Sequence, residues 1–311
     1  MVRAVELDSV VKRFGATLTL DGLTLSVERG TLFGFLGPNG AGKTTTIRTL
    51  LGVIEPDSGS VSVLGLDPKI SGDGVRRATG VLLENDGLYE GLSAEENLDY
   101  HGRLHGMPDA LRRLRISELL AAFGLAARRR ELVRRWSRGM RQKLAVARAL
   151  LHGPQLLLLD EPFAGLDPSA AAELREILMS LVARQGTTLF ITSHDLAHVE
   201  KICDRVAVIK AGRILAVGAP SELIERSGDI EVEISGAGLS VDLLRAMTRE
   251  RLLVSYSFEG ALARLICTRE VRPRLVAELA RRGVLVEEAR TKRTSLEDAF
   301  LELVRSGEAG A

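Results

Sequence analysis

The segment Gly37-Pro38-Asn39-Gly40-Ala41-Gly42-Lys43-Thr44 constrains this chain more than any other. A glycine, four residues and then Gly-Lys-Thr is the pattern of a loop that wraps phosphate. Its glycines let the backbone turn tightly and point N–H groups inward around an anion. Lys43 adds positive charge for the β- and γ-phosphates, and the Thr44 hydroxyl is an oxygen ligand suited to Mg²⁺. The apolar run Leu32–Leu36 precedes the loop and reads as a buried strand. Thr45–Leu51 follows with helical character, so phosphate would sit at a helix N-terminus, where the dipole favours it. The expected nucleotide contacts are Gly37, Pro38, Asn39, Gly40, Ala41, Gly42, Lys43, Thr44 and Thr45.

Leu156-Leu157-Leu158-Leu159-Asp160-Glu161 is a second informative run. Four leucines without a polar break suit a central parallel strand covered on both faces. Such a strand delivers its C-terminal residues to the ligand crevice of an α/β sheet. Asp160 is placed to hold Mg²⁺, and Glu161 to polarise a water attacking the γ-phosphate.

Just upstream lies Trp136-Ser137-Arg138-Gly139-Met140-Arg141-Gln142. It resembles the Leu-Ser-Gly-Gly-Gln signature of ATP-binding cassette (ABC) ATPases. Ser137 and Gly139 would open a helix whose free N–H groups face an anion. The resemblance implies that this anion is the γ-phosphate of ATP held by a second copy, with Ser137, Arg138, Gly139 and Met140 at the contact. Arg138 stands where the signature has glycine, Met140 where it has glutamine and Trp136 where Leu or Tyr is usual. The resemblance extends to other segments. Ala164-Gly165-Leu166-Asp167 is similar to the loop that touches the partner copy, through Asp167. Thr192-Ser193-His194-Asp195 is similar to the switch-histidine segment, where His194 would contact the γ-phosphate and help hold Glu161. Phe14, in Lys12-Arg13-Phe14-Gly15, matches the aromatic that stacks on adenine. The family usually has Gln after the strand leading to its helical subdomain. Here Gly80-Val81-Leu82-Leu83 runs into Glu84, a candidate third Mg²⁺ ligand that adds negative charge beside Asp160 and Glu161.

The expected fold is α/β: a P-loop NTPase of ABC type, with a doubly wound mixed sheet and antiparallel β and helical subdomains. Residues 1–226 form the ATPase domain, with a helical subdomain at about 88–151. That insertion opens on a capping box, Ser93-Ala94-Glu95-Glu96, and Pro108 breaks it. Strands are expected at Val5–Leu7, Leu18–Leu20, Leu23–Val27, near Val61–Leu64, and at Leu156–Leu159, Thr187–Ile191 and Arg205–Lys210. Ser227-Gly228-Asp229 reads as a hinge. Beyond it, residues 229–311 read strand, helix, strand, strand, helix, strand, which is the order of a small ferredoxin-like α+β domain. A last helix follows at Ser295–Val304. Packing, dimerisation or regulation is its expected role. The end, Thr294-Ser295-Leu296-Glu297-Asp298-Ala299-Phe300-Leu301, is similar to the tail of daunorubicin-resistance-type exporter ATPases.

With 42 Lys and Arg against 41 Asp and Glu, the net charge is +1, so no global field favours nucleic acid. The arginines at 128–130, 134 and 135 read as a solvated face. No apolar stretch approaches the length that spans a bilayer, and no leader segment is evident. Cys203 and Cys267 match no metal spacing and suit free thiols in a reducing compartment. His101 and His105, like His194 and His198, have helical metal-ligand spacing but no evident third ligand. The resemblance implies a Mg²⁺-dependent ATPase that works as a homodimer and energises export through separate integral membrane permease subunits. It would be cytoplasmic, held peripherally at the inner face of the membrane by the permease. One alternative is a soluble ABC ATPase acting on DNA or ribosomes, although no coiled-coil insertion and no second phosphate loop occur. Another is a nucleotide-binding regulator without turnover.

Overall fold

The computed structural model describes residues 3–226, 229–259, 262–268, 270–291 and 295–306. Its contacts divide the chain into two units, Met1–Pro220 and Ser221–Ala311.

The first unit begins with β1 (Arg3–Phe14), β2 (Thr17–Glu28), β3 (Leu32–Leu36), α1 (Lys43–Leu50), β4 (Ser58–Val63), α2 (Pro68–Ala78) and β5 (Thr79–Leu82). A helical stretch follows: α3 (Ala94–Leu104), α4 (Asp109–Ala122) and α5 (Arg138–Leu150). The chain then returns to alternation with β6 (Leu156–Asp160), α6 (Pro168–Gln185), β7 (Thr188–Ser193), α7 (Leu196–Ile202), β8 (Arg205–Lys210) and β9 (Arg213–Gly218).

Six of these strands form one sheet in the order β5-β6-β7-β3-β8-β9. Every pair is parallel except the edge hairpin β8–β9. The strands β3, β6 and β7 are buried along their whole length, as their unbroken apolar runs require. Each leucine of β6 is fully buried, and each such burial contributes about 1.5–3 kcal/mol. Phe33 and Phe35 of β3 pack on Phe190 of β7, with ring centroids 5.7 and 5.3 Å apart. A separate antiparallel sheet, β2-β1-β4, alternates buried and exposed positions and adds one face to the same core. The sheet is therefore mixed, with an antiparallel β subdomain and a helical insertion.

Several local expectations change. The two short strands expected at Leu18–Leu20 and Leu23–Val27 are one continuous β2, paired with β1 across several register shifts. The stretch from Leu83 to Ser93 is largely loop, and helix begins only where Ser93 caps Glu96 in a reciprocal capping box. No helix was expected at α2, which Asp67 caps and which bends at Ser71. The arginines at 128–130 lie on and just beyond a short 3₁₀ turn rather than a helix face, and Arg129 forms a two-pronged pair with Glu95.

The helical insertion also holds a histidine cluster. The rings of His105 and His152 stack 3.9 Å apart and nearly parallel. His101 Nε2 and His152 Nε2 contact the carbonyls of Gly87 and Thr79. Burial first, and then the Arg148 charge, pushes the His101 imidazole down to about 4. Burial and then His105 lower His152 to about 4 as well. Both rings stay neutral in the fold at a pH where the unfolded chain, near 6.5, takes up protons. Stability is therefore unaffected above that value and is lost as pH falls from about 6.5 towards 4. His152→Gln is expected to flatten the fall in unfolding temperature between about pH 7 and 4.5. A slope equal to that of the parent would contradict this reading.

The second unit carries α8 (Pro220–Arg226), β10 (Asp229–Ala237), α9 (Val241–Arg249), β11 (Ser255–Glu259), β12 (Leu262–Thr268), α10 (Arg272–Arg281), β13 (Leu285–Thr291) and α11 (Leu296–Ser306). Its four strands form an antiparallel sheet in the order β11-β12-β10-β13. Alternate residues of β10 (Ile230, Val232, Ile234) and β12 (Ala263, Leu265, Cys267) share a core with Leu244 and Met247 of α9 and Leu275 and Leu279 of α10. Spacings of two on strands and three or four on helices bring these side chains to one layer. Ser295 and Asp298 cap α11 reciprocally. Ser227 and Gly228 of the expected hinge, and Thr294 of the tail motif, lie outside the described residues. Cys203 and Cys267 are buried and are not joined in a disulfide.

Candidate active site

The strand β3 ends directly on the phosphate loop, and α1 starts at Lys43. Gly42 is the residue before that helix and has φ 108°, which a side chain at this position would disfavour. It offers no side-chain cap, so the first N–H groups of α1 stay available to an anion. Lys43 is almost fully buried, at 7% exposure. Its ammonium donates to the Gly37 carbonyl at 2.7 Å and to Pro38 at 3.4 Å.

The end of β6 is brought to the same place by the parallel register of β6, β7 and β3. Thr44 Oγ1 donates to Asp160 Oδ2 at 2.7 Å, and Thr192 Oγ1 donates to Asp160 Oδ1. Glu161 has φ +50°, a left-handed conformation that a non-glycine residue rarely adopts. Its N–H donates to the hydroxyl and carbonyl of Thr192. One carboxylate oxygen, Oε2, meets His194 Nδ1 at 2.8 Å and the His194 N–H at 3.3 Å. The other, Oε1, is buried and accepts no hydrogen bond from the protein, with Lys43 Nζ 3.3 Å away as an ion pair.

These groups open on a cavity of about 570 Å³. Pro38, Asn39, Gly40, Gly42, Lys43, Thr44 and Thr45 line it, together with Glu84, Arg138, Asp160 and Glu161. Gly37 and Ala41 lie within the same loop but are not on the lining. Thr19 of β2, Leu83, Gln142 and Ala164 complete the wall. Gln142 Nε2 donates to the Pro162 carbonyl at 2.8 Å, tying α5 to the loop after β6.

Other expected residues lie elsewhere. Phe14 is half exposed at the turn between β1 and β2, with Lys12 Nζ 5.7 Å from its ring centre, and it does not line the cavity. Ser137 caps α5 by accepting from Met140 N, and Asp167 caps α6 by accepting from Ala170 N. Ser137, Gly139, Met140 and Asp167 are absent from the cavity wall. Of the signature segment Arg138 and Gln142 reach it. The histidine pairs do not converge: His198 faces Asp195 and stacks on Phe163, and His105 stacks on His152. Among the described residues, no group of three or more His, Cys, Asp or Glu could hold a metal by itself.

Sequence reasoning gave no separate role to Thr192, Gln142 or Thr19. Thr192 could have been found, because it opens the expected switch segment directly after an apolar strand run. Thr19 carries no signal of its own, since it joins the site through a tertiary approach of its carbonyl to Gly42.

Residues 20–164 match the family described as "ABC transporter". A daunorubicin resistance ATP-binding protein of Streptomyces coeruleorubidus is 37% identical over 302 residues, covering 96% of this chain and 95% of that protein. The bacitracin transport ATP-binding protein of Bacillus licheniformis is 34% identical over 319 residues and is covered over 100% of both chains. A solved ATP-binding subunit of an ABC transporter superposes with a TM-score of 0.66 at 32% identity, covering 72% of this chain and 92% of that one. A dimeric ATP-binding cassette with ADP and Pi superposes with a TM-score of 0.63 at 24% identity, covering 69% of this chain and 98% of that one, a likeness of fold alone.

Proposed function

The chain belongs to the ATP-binding subunits of ABC transporters, and we propose that it hydrolyses ATP in the cavity between the phosphate loop and Glu161 to energise export. The carrying observation is the Glu161 carboxylate. One oxygen is held by His194, and the other is buried, unbonded and beside Lys43. A carboxylate so placed can accept a proton from a water at the terminal phosphate.

Backbone N–H groups of Gly37–Thr45 and the Lys43 ammonium would hold the phosphates. Thr44 and Asp160 offer adjoining oxygen atoms that fit a hard cation, and Glu84 lines the same cavity. Mg²⁺ bound there would offset phosphate charge. The attacking water forms a bond to the γ-phosphorus as the bond to the β–γ bridging oxygen breaks. ADP keeps that oxygen, and Glu161 passes the water proton to solvent. Thr192 orients Asp160 and the Glu161 backbone, and His194 orients the Glu161 side chain.

Phe14 would stack on adenine at the exposed end of the β1–β2 hairpin. The segment Ser137-Arg138-Gly139-Met140, with Asp167, would face the nucleotide of a second copy, so that ATP closes a homodimer. Closure would act on separate membrane permease subunits through the helical insertion. Among the described residues no helix is long and apolar enough to cross a membrane. The chain would therefore sit at the inner face of the membrane through its permease. We read the second unit as a ferredoxin-like accessory domain, because its connectivity and strand order suit that description.

A cassette acting on DNA or ribosomes is the competing reading. The relatives reported above are named instead for resistance and transport. Phosphate release should be measured with the purified chain alone, with DNA, with ribosomes and with co-expressed permease. Magnesium-dependent release that responds to the permease is expected. Stimulation by DNA or ribosomes, with no response to the permease, would overturn the export reading.

A further inference from the structure

Arg138 and Glu84, the two charged departures from the family motifs, line the same cavity. They also line an adjoining cavity of about 550 Å³, which shares Leu83 and Gln142 with the first. Both thus border the two spaces, although they lie 54 positions apart in sequence. Arg138 is seated there by its own chain. A methyl group at Gly165 would lie 2.3 Å from Arg138 Cζ, so the guanidinium rests against backbone that has no side chain. Gly165 also has φ +68°, a conformation that favours glycine. Nearby Arg141 is neutralised by Asp86 and Glu90. Arg138 has no carboxylate partner among the described residues.

Charge decides what this guanidinium does. The charged groups on the nucleotide cavity are Glu84, Asp160 and Glu161 against Lys43 and Arg138. Glutamine at 84 with glycine at 138 would leave the same net formal charge, so the two departures cancel. Without Arg138, the terminal phosphate would meet an uncompensated extra carboxylate, and like charges in a partly enclosed site repel strongly.

We propose that Arg138 is a positioning residue of its own chain's nucleotide cavity, where its guanidinium offsets Glu84 beside the terminal phosphate of ATP. The proposal rests on the ATP-hydrolysis reading above. The guanidinium packs against Gly165 of its own chain.

A double-mutant cycle on the full chain tests it. Equilibrium affinity for a fluorescent ATP analogue, with magnesium and in EDTA, is measured beside KM and kcat. Arg138→Gly is expected to weaken affinity by about tenfold both with magnesium and in EDTA, and to raise KM by about tenfold with magnesium. Adding Glu84→Gln should recover most of that loss, to within about threefold of the parent. Arg138→Lys should keep more affinity than Arg138→Gly. Independent losses that multiply in the double variant would overturn the proposal, as would an Arg138→Gly chain with parental affinity. Unfolding temperatures of all variants separate these outcomes from loss of fold. Binding without hydrolysis in the parent would sink the ATPase reading and leave the charge-offset cycle readable through affinity.

Discussion

Glu161→Gln is expected to lower ATP turnover by about 10²–10⁴-fold while ATP affinity stays within a few-fold of the parent. The amide keeps the size of the side chain and can still meet His194 through an oxygen. It cannot take a proton from water at neutral pH, which is the loss that matters. The geometry makes the effect specific. Thr44 and Asp160 remain joined at 2.7 Å, and the phosphate loop is untouched. The Lys43–Glu161 ion pair, at 3.3 Å, is removed, which frees the ammonium for phosphate. Binding is therefore expected to hold or tighten. Steady-state phosphate release, set beside equilibrium nucleotide titration, checks both halves. Parental turnover would show that Glu161 is not the base.

The second large effect lies in binding. Lys43→Ala should weaken ATP affinity by about 10–100-fold, the loss of hydrogen bonds from a charged donor worth roughly 1.5–3 kcal/mol. Lys43 is buried and its ammonium is held by the Gly37 and Pro38 carbonyls of its own loop. That arrangement keeps the charge within the cradle before nucleotide arrives, so little side-chain entropy is lost on binding. Alanine also leaves Glu161 Oε1 without its cation in a partly buried site, which adds repulsion towards phosphate. Isothermal titration with ATP measures the change. Unaltered affinity would remove the phosphate loop from the account.

Much of the site was legible because its determinants are local. The phosphate loop is contiguous, and the apolar strands before it and before Asp160 are unbroken. Strands buried on both faces announce themselves by composition, and their ends then fall at the crevice of a parallel sheet. In the second unit, alternating apolar residues marked β10 and β12 closely. What stayed hidden depends on tertiary contacts. The helix α2 contains Gly72 and Gly74 and bends at Ser71, so its local propensity is poor. The strand β2 was split at Asp21-Gly22, where a turn signal is overridden by pairing with β1. The placement of Arg138 and Glu84 on one cavity, and of Thr19 on its wall, follows from tertiary structure that no window of sequence contains. Phe14 shows the converse: a motif position can be read from sequence, while its distance from the cavity wall cannot.

The central claim is that ATP lies across two copies of this chain, with its terminal phosphate turned towards Glu161. The most direct measurement is a crystal structure of the Glu161→Gln chain grown with magnesium and ATP. The account predicts a dimer with the phosphates over Gly37–Thr45, the γ-phosphate within reach of Lys43, and Ser137 and Gly139 of the opposite copy on its far side. Nucleotide bound away from that loop, or a nucleotide-loaded chain with Ser137 and Gly139 left in solvent, would contradict it.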